Sequence, residues 1–295
     1  MSKLPILATV SRAYGFLLGE FGTIIRLVWA PLLIGIVLSF NFSGAALDAA
    51  IKGDEAALAG QTPGQVLISI VAGLGGVMAL VALLRVVIFG DRAPGLWVYL
   101  WLGQAELRLV VVALLLFVAA IAAGLAAAIV LSFLAVLANA VPGMGLLLTA
   151  VVLVGIPALL IWAGARLSLV PSVVVAENNL GVERSWQLMG GNALAMIAVV
   201  LLTFGPFTIV SGLVYGAIMG ADTSALPSFE SLAKMSTEEL RQVLREYMVV
   251  QYRAMRAHWV ELHVLNFVSG VITTALSAGA FGSAYNTIVG DSATK

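Results

Sequence analysis

Six long apolar runs separated by short polar corners dominate the hydrophobic pattern of the chain. They cover residues 24–46, 65–89, 107–137, 144–165, 193–219 and 264–289. At 1.5 Å per residue, each is long enough for a helix to cross a hydrocarbon layer of about 30 Å. Backbone in lipid must pair its own N–H and C=O groups, so every run is predicted to be a helix. The predicted fold class is therefore all-α: a polytopic transmembrane helical bundle of about six spans. Residues 1–295 are predicted to form a single integral membrane domain. The fourth run continues past Pro171 toward Val175. Thirty helical residues reach about 45 Å, so this span must tilt, bend at Pro171 or project beyond the bilayer.

Three shorter segments follow another pattern. In residues 4–22, Leu4, Leu7, Val10, Tyr14, Leu17, Leu18 and Phe21 recur at helical spacing, with Thr9, Arg12 and Glu20 between them. That fits an amphipathic helix lying flat at headgroup level; the competing reading is the polar start of the first span. Residues 94–103 carry Trp97, Tyr99 and Trp101, which favour the membrane boundary and predict a second interfacial helix. Residues 182–191 make a third. The three end in Phe21-Gly22, Leu102-Gly103 and Met189-Gly190. A threefold repeat is expected, with units 1–90, 91–172 and 173–295, each a flat helix plus a helical hairpin.

The polar segments complete the pattern. Residues 47–63 carry Asp48, Lys52, Asp54 and Glu55 and are predicted to be a loop in water. A tight turn is predicted from Asn139 to Gly143. Residues 221–262 form the long hydrophilic stretch, an extramembrane amphipathic segment. In it Ser236 and Glu239 match a capping box. Leu240, Val243, Leu244, Tyr247, Val250 and Met255 then make an apolar stripe, with Arg241, Arg245, Glu246, Arg253 and Arg256 mostly off it.

Composition agrees. The chain is 61% hydrophobic and 10% charged, with a mean hydropathy of +1.08. Ordinary globular domains carry roughly 25% charged residues, so lipid is the main solvent here. Net charge is zero, which argues against nucleic acid as a partner. With no cysteine there is no disulfide or thiolate metal site. No cleavable leader is expected, and the first span would act as an uncleaved signal. Six spans place both ends of the chain on one side. That side would hold Lys3, Arg12, Arg26, Arg85, Arg92, Arg108, Arg166, Arg184 and Lys295. Lys52, Lys234, Arg241, Arg245, Arg253 and Arg256 fall opposite, mostly in the long, charge-balanced segment. The bias predicts a bacterial cytoplasmic (inner) membrane with both termini in the cytoplasm.

Small residues four apart mark close helix contacts. Ala72 and Gly76, the trio Ala120, Gly124 and Ala128, and the pairs Ala275–Gly279 and Ala278–Gly282 are such places. Gly212, Gly216 and Gly220 give the strongest signal, favouring a contact inside the protein over a homodimer face. Oligomeric state stays open.

Candidate chemistry is sparse. His258 and His263 lie five apart, about 140° around a helix, unlike an i, i+4 metal pair. No nucleophile–base pair, phosphate-binding glycine loop or carboxylate cluster stands inside the spans, so no catalytic residue, metal or cofactor is predicted. Asn41, Asn139 and Asn286 read as caps or polar packing. Arg85 and Arg166 sit near the inner ends of their helices and could snorkel to headgroups. Arg166 could instead pair with Glu177 or Glu183, or hold a lipid phosphate beside Arg184 and Ser185.

The corner itself carries a family signal. Arg166 to Glu177 followed by Gly181-Val182-Glu183-Arg184-Ser185-Trp186-Gln187-Leu188 resembles the membrane domain of glycerophosphodiester phosphodiesterases and related bacterial multi-span proteins. The first flat helix and the stretch from Phe89-Gly90-Asp91-Arg92 to Glu106-Leu107-Arg108 are similar too. No His-Arg-Gly of the family's catalytic domain is present, and no hydrophilic stretch could hold its barrel. The resemblance therefore implies the membrane part without the hydrolase. The expected function is a non-enzymatic membrane module that organises lipids or other membrane proteins. The alternative is a transporter or channel for a lipid or small apolar solute, although ionisable residues are nearly absent at mid-span.

Overall fold

A computed structural model describes residues 3–52, 63–92, 97–140, 145, 149–220, 231 and 235–293. Among these every regular element is helical. The helices are α1 (Ile6–Gly19), α2 (Phe21–Ile51), α3 (Pro63–Phe89) and α4 (Gln104–Ala140). A π-helical turn, Val151–Gly155, enters α5 (Ile156–Leu167), and α6 (Val170–Glu177) and α7 (Val182–Leu188) follow. The chain continues through α8 (Ala193–Met219), α9 (Thr237–Ala257) and α10 (Trp259–Ala293). Six stretches are long and apolar enough to cross a membrane: Phe21–Ile51, Gly64–Phe89, Gln104–Leu134, Val151–Glu177, Ala193–Met219 and Trp259–Gly290. The chain is an all-α, multi-pass membrane protein.

The centre of the bundle is α2, α3 and α10, drawn together by small residues. A Cβ on Gly75 would lie 2.3 Å from the Pro31 carbonyl oxygen, so only glycine lets α3 approach α2 there. A Cβ on Gly35 would meet Ala72 at 2.9 Å. The close glycine on α3 is thus Gly75, not the expected Gly76, which has open space around it. On α10, a Cβ at Gly279 would meet the Ala13 Cα at 2.9 Å and one at Gly282 would meet Val87 at 2.7 Å. Ile24, Leu27, Leu83, Leu84 and Val271 fill the space between.

The first segment is a helix separate from α2, parted from it at Glu20. It is tied to the far end of the chain. Arg12 Nη1 donates to Thr287 Oγ1 at 2.8 Å, Tyr14 to the Thr203 carbonyl at 2.8 Å, and the Leu4 amide to Asn192 Oδ1 at 3.0 Å. The two described ends therefore share one end of the bundle. Two spans are peripheral. Of the apolar stretch in α4 11% is buried and of Val151–Glu177 6%, against 33% in α2 and in α10.

Several expectations are corrected. α2 runs to Ile51, so residues 47–51 are helix and not loop. The reason is a partner: Asp48 accepts two hydrogen bonds from Arg256, at 2.9 and 3.3 Å. Residues 53–62 lie outside the described residues. The interfacial helix expected at residues 94–103 is not one, because described residues 97–103 are non-helical. Side chains of neighbouring elements pair two of its backbone groups. Trp29 Nε1 donates to the Trp97 carbonyl at 2.8 Å, and Glu106 Oε2 accepts from the Gly103 amide at 3.0 Å. The repeat of flat helix plus hairpin thus fails in its middle unit. Asn139 and Ala140 are helical, not turn, and residues 141–143 lie outside the described residues. The fourth span breaks at Ser168–Leu169, ahead of Pro171. A proline ring clashes with the carbonyl four residues back, here that of Leu167, the last residue of α5.

Gly212, Gly216 and Gly220 do not make the expected internal contact. A Cβ on any of them would meet nothing within 4 Å among the described residues, so this face of α8 is open. The capping box holds: the Ser236 amide donates to Glu239 Oε2 at 2.8 Å, and the Glu239 amide to Ser236 Oγ at 3.3 Å. α9 lies against the extended end of α2 through the Asp48–Arg256 pair.

Candidate functional site

The corner between α5 and α8 is built by two residues in the left-handed region. Asn178 ends α6 at φ 57° and Gly181 opens α7 at φ 72°. A Cβ on Gly181 would sit 3.0 Å from the Val170 carbonyl, which favours glycine here a second time. The Gly181 amide donates to Asn179 Oδ1 at 2.8 Å and fixes the turn. Ser185 is wholly buried, and its Oγ donates to the Arg166 carbonyl at 2.9 Å, joining α7 to the last turn of α5.

That junction places Trp186 beside Trp162, edge to face, with centroids 5.3 Å apart. Trp162 and Arg166 stand one turn apart on α5 and so share a face. The Arg166 guanidinium carbon lies 5.4 Å from the Trp162 centroid and 4.6 Å from that of Trp186. Its Nε is buried without a hydrogen-bond partner among the described residues.

The expected pairing of Arg166 with Glu177 or Glu183 is not present among the described residues. Both carboxylates are engaged elsewhere. Glu177 Oε1 accepts from Arg184 Nε at 3.2 Å and from the Tyr285 hydroxyl at 3.0 Å. Its Oε2 accepts from Asn179 Nδ2 at 3.4 Å. Glu183 Oε1 accepts from Gln187 Nε2 at 3.1 Å. Glu177 is thus the knot that ties α6, α7 and α10, and Arg184 serves it.

On the other flank of α7 a groove of about 800 Å³ separates it from α4. Leu115, Leu116 and Ala119 form an apolar wall, and Glu183, Arg184 and Gln187 a polar rim. Arg108, near the start of α4, donates to Asn178 Oδ1 and to Gln104 Oε1, the latter at 3.3 Å.

Arg85 belongs to a separate cluster that pattern reading missed. Its Nη1 donates to the Tyr99 hydroxyl at 3.3 Å, and its Nη2 is 3.9 Å from Glu106 Oε1. Tyr99 donates to the same Glu106 oxygen at 3.2 Å, and Glu106 is fully buried. Gly103 precedes α4 and Glu106 is its third residue, so Glu106 is also the returning half of a capping box. A glycine, two residues and a glutamate just before a long apolar run was the available signal. Burial pushes the Tyr99 hydroxyl up to about 12, so it stays a donor.

A third pair was also missed. Arg92 binds Glu20 through Nε at 3.1 Å and Nη2 at 2.5 Å, and Thr23 donates to the same carboxylate at 3.0 Å. The Arg92 hydrogen bond holds the Glu20 carboxyl below its ordinary 4.5.

No family model matches the chain, and no curated protein or solved structure matches it. Among the described residues no group of three or more His, Asp or Glu could hold a metal ion.

Proposed function

We propose that the chain is a non-enzymatic membrane module that binds phospholipid headgroups at the corner between α5 and α8. Arg166 carries this reading. Its guanidinium rests on two tryptophans, 5.4 and 4.6 Å from their centroids, with no carboxylate partner among the described residues. Stacking leaves the N–H edge of a guanidinium for an anion, and phosphate matches that edge in two places. A half-buried cation without a counter-charge is costly. At a membrane boundary lipid phosphate is the abundant partner. The groove on the other flank of α7, walled by Leu115, Leu116 and Ala119 with Arg184 on its rim, is a separate apolar surface at the same corner.

The same reading sets the protein in a bacterial cytoplasmic membrane with both termini inside. Arg85, Arg92, Arg108, Arg166 and Arg184 all cap span ends on the side where Arg12 meets Thr287, as the positive-inside rule requires. Its corner sequence resembles the glycerophosphodiester phosphodiesterase membrane domain, and the role proposed is to act on lipid by binding alone.

The test is phospholipid retained per protein after purification in mild detergent, measured by mass spectrometry. Wild type is expected to retain phospholipid, Arg166→Gln to lose it, and Arg166→Lys to fall between, since lysine keeps charge but not the stack. Equal retention by all three monodisperse proteins would overturn the proposal.

A further inference from the structure

The opposite end of the bundle holds a second groove, of about 300 Å³, between α2 and α10. Leu33, Val37 and Phe40 line it from α2, and Val264 and Phe267 from α10. Among the described residues no Asp, Glu, Lys or Arg lines it; Asn41 does, with its Nδ2 donating to the Val37 carbonyl at 2.7 Å. Into these apolar walls the fold sets one histidine, His263, only 8% exposed.

Its chemistry is fixed from behind. Nδ1 lies 2.7 Å from the Trp259 carbonyl oxygen one turn back. A carbonyl can only accept, so Nδ1 carries the hydrogen. In the neutral ring Nε2 is then an acceptor. The ring cannot swing away. Phe40 meets it edge-on with centroids 5.2 Å apart, and Trp259 packs 4.3 Å from it. Trp259 is itself held by its Nε1 donating to the Phe40 carbonyl at 3.3 Å. Nε2 has no partner among the described residues.

We propose that this groove binds an apolar lipid bearing a hydroxyl, which donates its hydrogen to His263 Nε2. A plain alkyl chain would fill the walls but leave a buried acceptor unpaired. A carboxylate or phosphate would enter without a cation to neutralise it. A hydroxyl supplies the missing donor and brings no charge. This site is independent of the Arg166 corner, at the far end of α2 and α10, and asks for different chemistry.

The experiment uses the full chain reconstituted in phosphatidylcholine vesicles. The probes are a long-chain alcohol with a mid-chain diazirine and its methyl ether of equal length. After irradiation, labelled peptides are mapped by mass spectrometry. The alcohol is expected to label residues 33–41 and 260–267 more than the ether by roughly fivefold, the worth of one net hydrogen bond. His263→Phe should reduce alcohol labelling to the ether level. His263→Gln, which keeps an acceptor, should restore part of it. Equal labelling by both probes on the unaltered chain, or labelling of neither segment, would overturn the proposal. That comparison decides alone if His263→Phe does not fold.

Discussion

Glu106→Ala removes a fully buried carboxylate and leaves two donors behind, the Tyr99 hydroxyl and the Gly103 amide. An orphaned buried donor costs about 1–3 kcal/mol. Tyr99 is 7% exposed, so little water can replace the lost acceptor, and its share falls in the upper half of that range. The Gly103 amide caps the start of α4 and is only partly buried, so water can partly replace its acceptor and its share is small. The ion pair adds little: Arg85 is 32% exposed and sits 3.9 Å away. A surface-like pair of that kind is worth about 1 kcal/mol or less. The sum is a loss of about 3 kcal/mol for Glu106→Ala. Glu106→Gln keeps an acceptor for Tyr99 and should cost about 1 kcal/mol. Unfolding of purified protein in mixed micelles, followed by tryptophan fluorescence, measures both. Should the alanine variant lose under about 1 kcal/mol, or glutamine prove as damaging as alanine, the hydrogen-bond account of this cluster is wrong.

Three further outcomes follow from other parts of the fold. Gly75→Ala should sharply lower the thermal midpoint in detergent, because its Cβ would sit 2.3 Å from a backbone oxygen, whereas Gly216→Ala, with nothing within 4 Å, should leave it level or slightly raised. Equal effects would refute the packing described for α2 and α3. Because Arg92 holds the Glu20 carboxyl low, the pair stabilises the fold at neutral pH and fades as pH falls below 4.5. The stability gap between wild type and Glu20→Gln should therefore close in acid, and a gap independent of pH would contradict it. The chain has no native cysteine, so single cysteines at Ser11 and Gln242 should label from opposite faces of sealed vesicles. Labelling of both from one face would refute the six-span topology.

The spans were legible because lipid leaves the backbone one solution, and an apolar run then marks its own ends. α8 matches residues 193–219, where Gly220 at φ 71° stops the helix. What sequence missed is side-chain pairing across long separations. Arg166 invited a search for carboxylates in the same corner, at Glu177 and Glu183, yet Glu177 was already held by Arg184 and by Tyr285, over a hundred residues on. Trp162, one turn before Arg166, was in plain view, but a guanidinium that chooses rings over carboxylates is decided by packing. The 94–103 segment failed for a related reason. Its aromatics suggest a boundary helix, but residues 97–103 are non-helical, with Trp29 and Glu106 each pairing one of its backbone groups. The glycines of α8 failed in the other direction: the spacing is real, and no helix among the described residues comes to meet it.

The central claim is direct contact between Arg166 and a lipid phosphate. It is tested most directly by magic-angle-spinning NMR of protein with ¹⁵N-labelled arginine in phospholipid vesicles, through dephasing of the guanidinium signal by ³¹P. The account predicts a dephased guanidinium signal that disappears in Arg166→Gln. Dephasing that is absent in wild type, or unchanged in the variant, would contradict it.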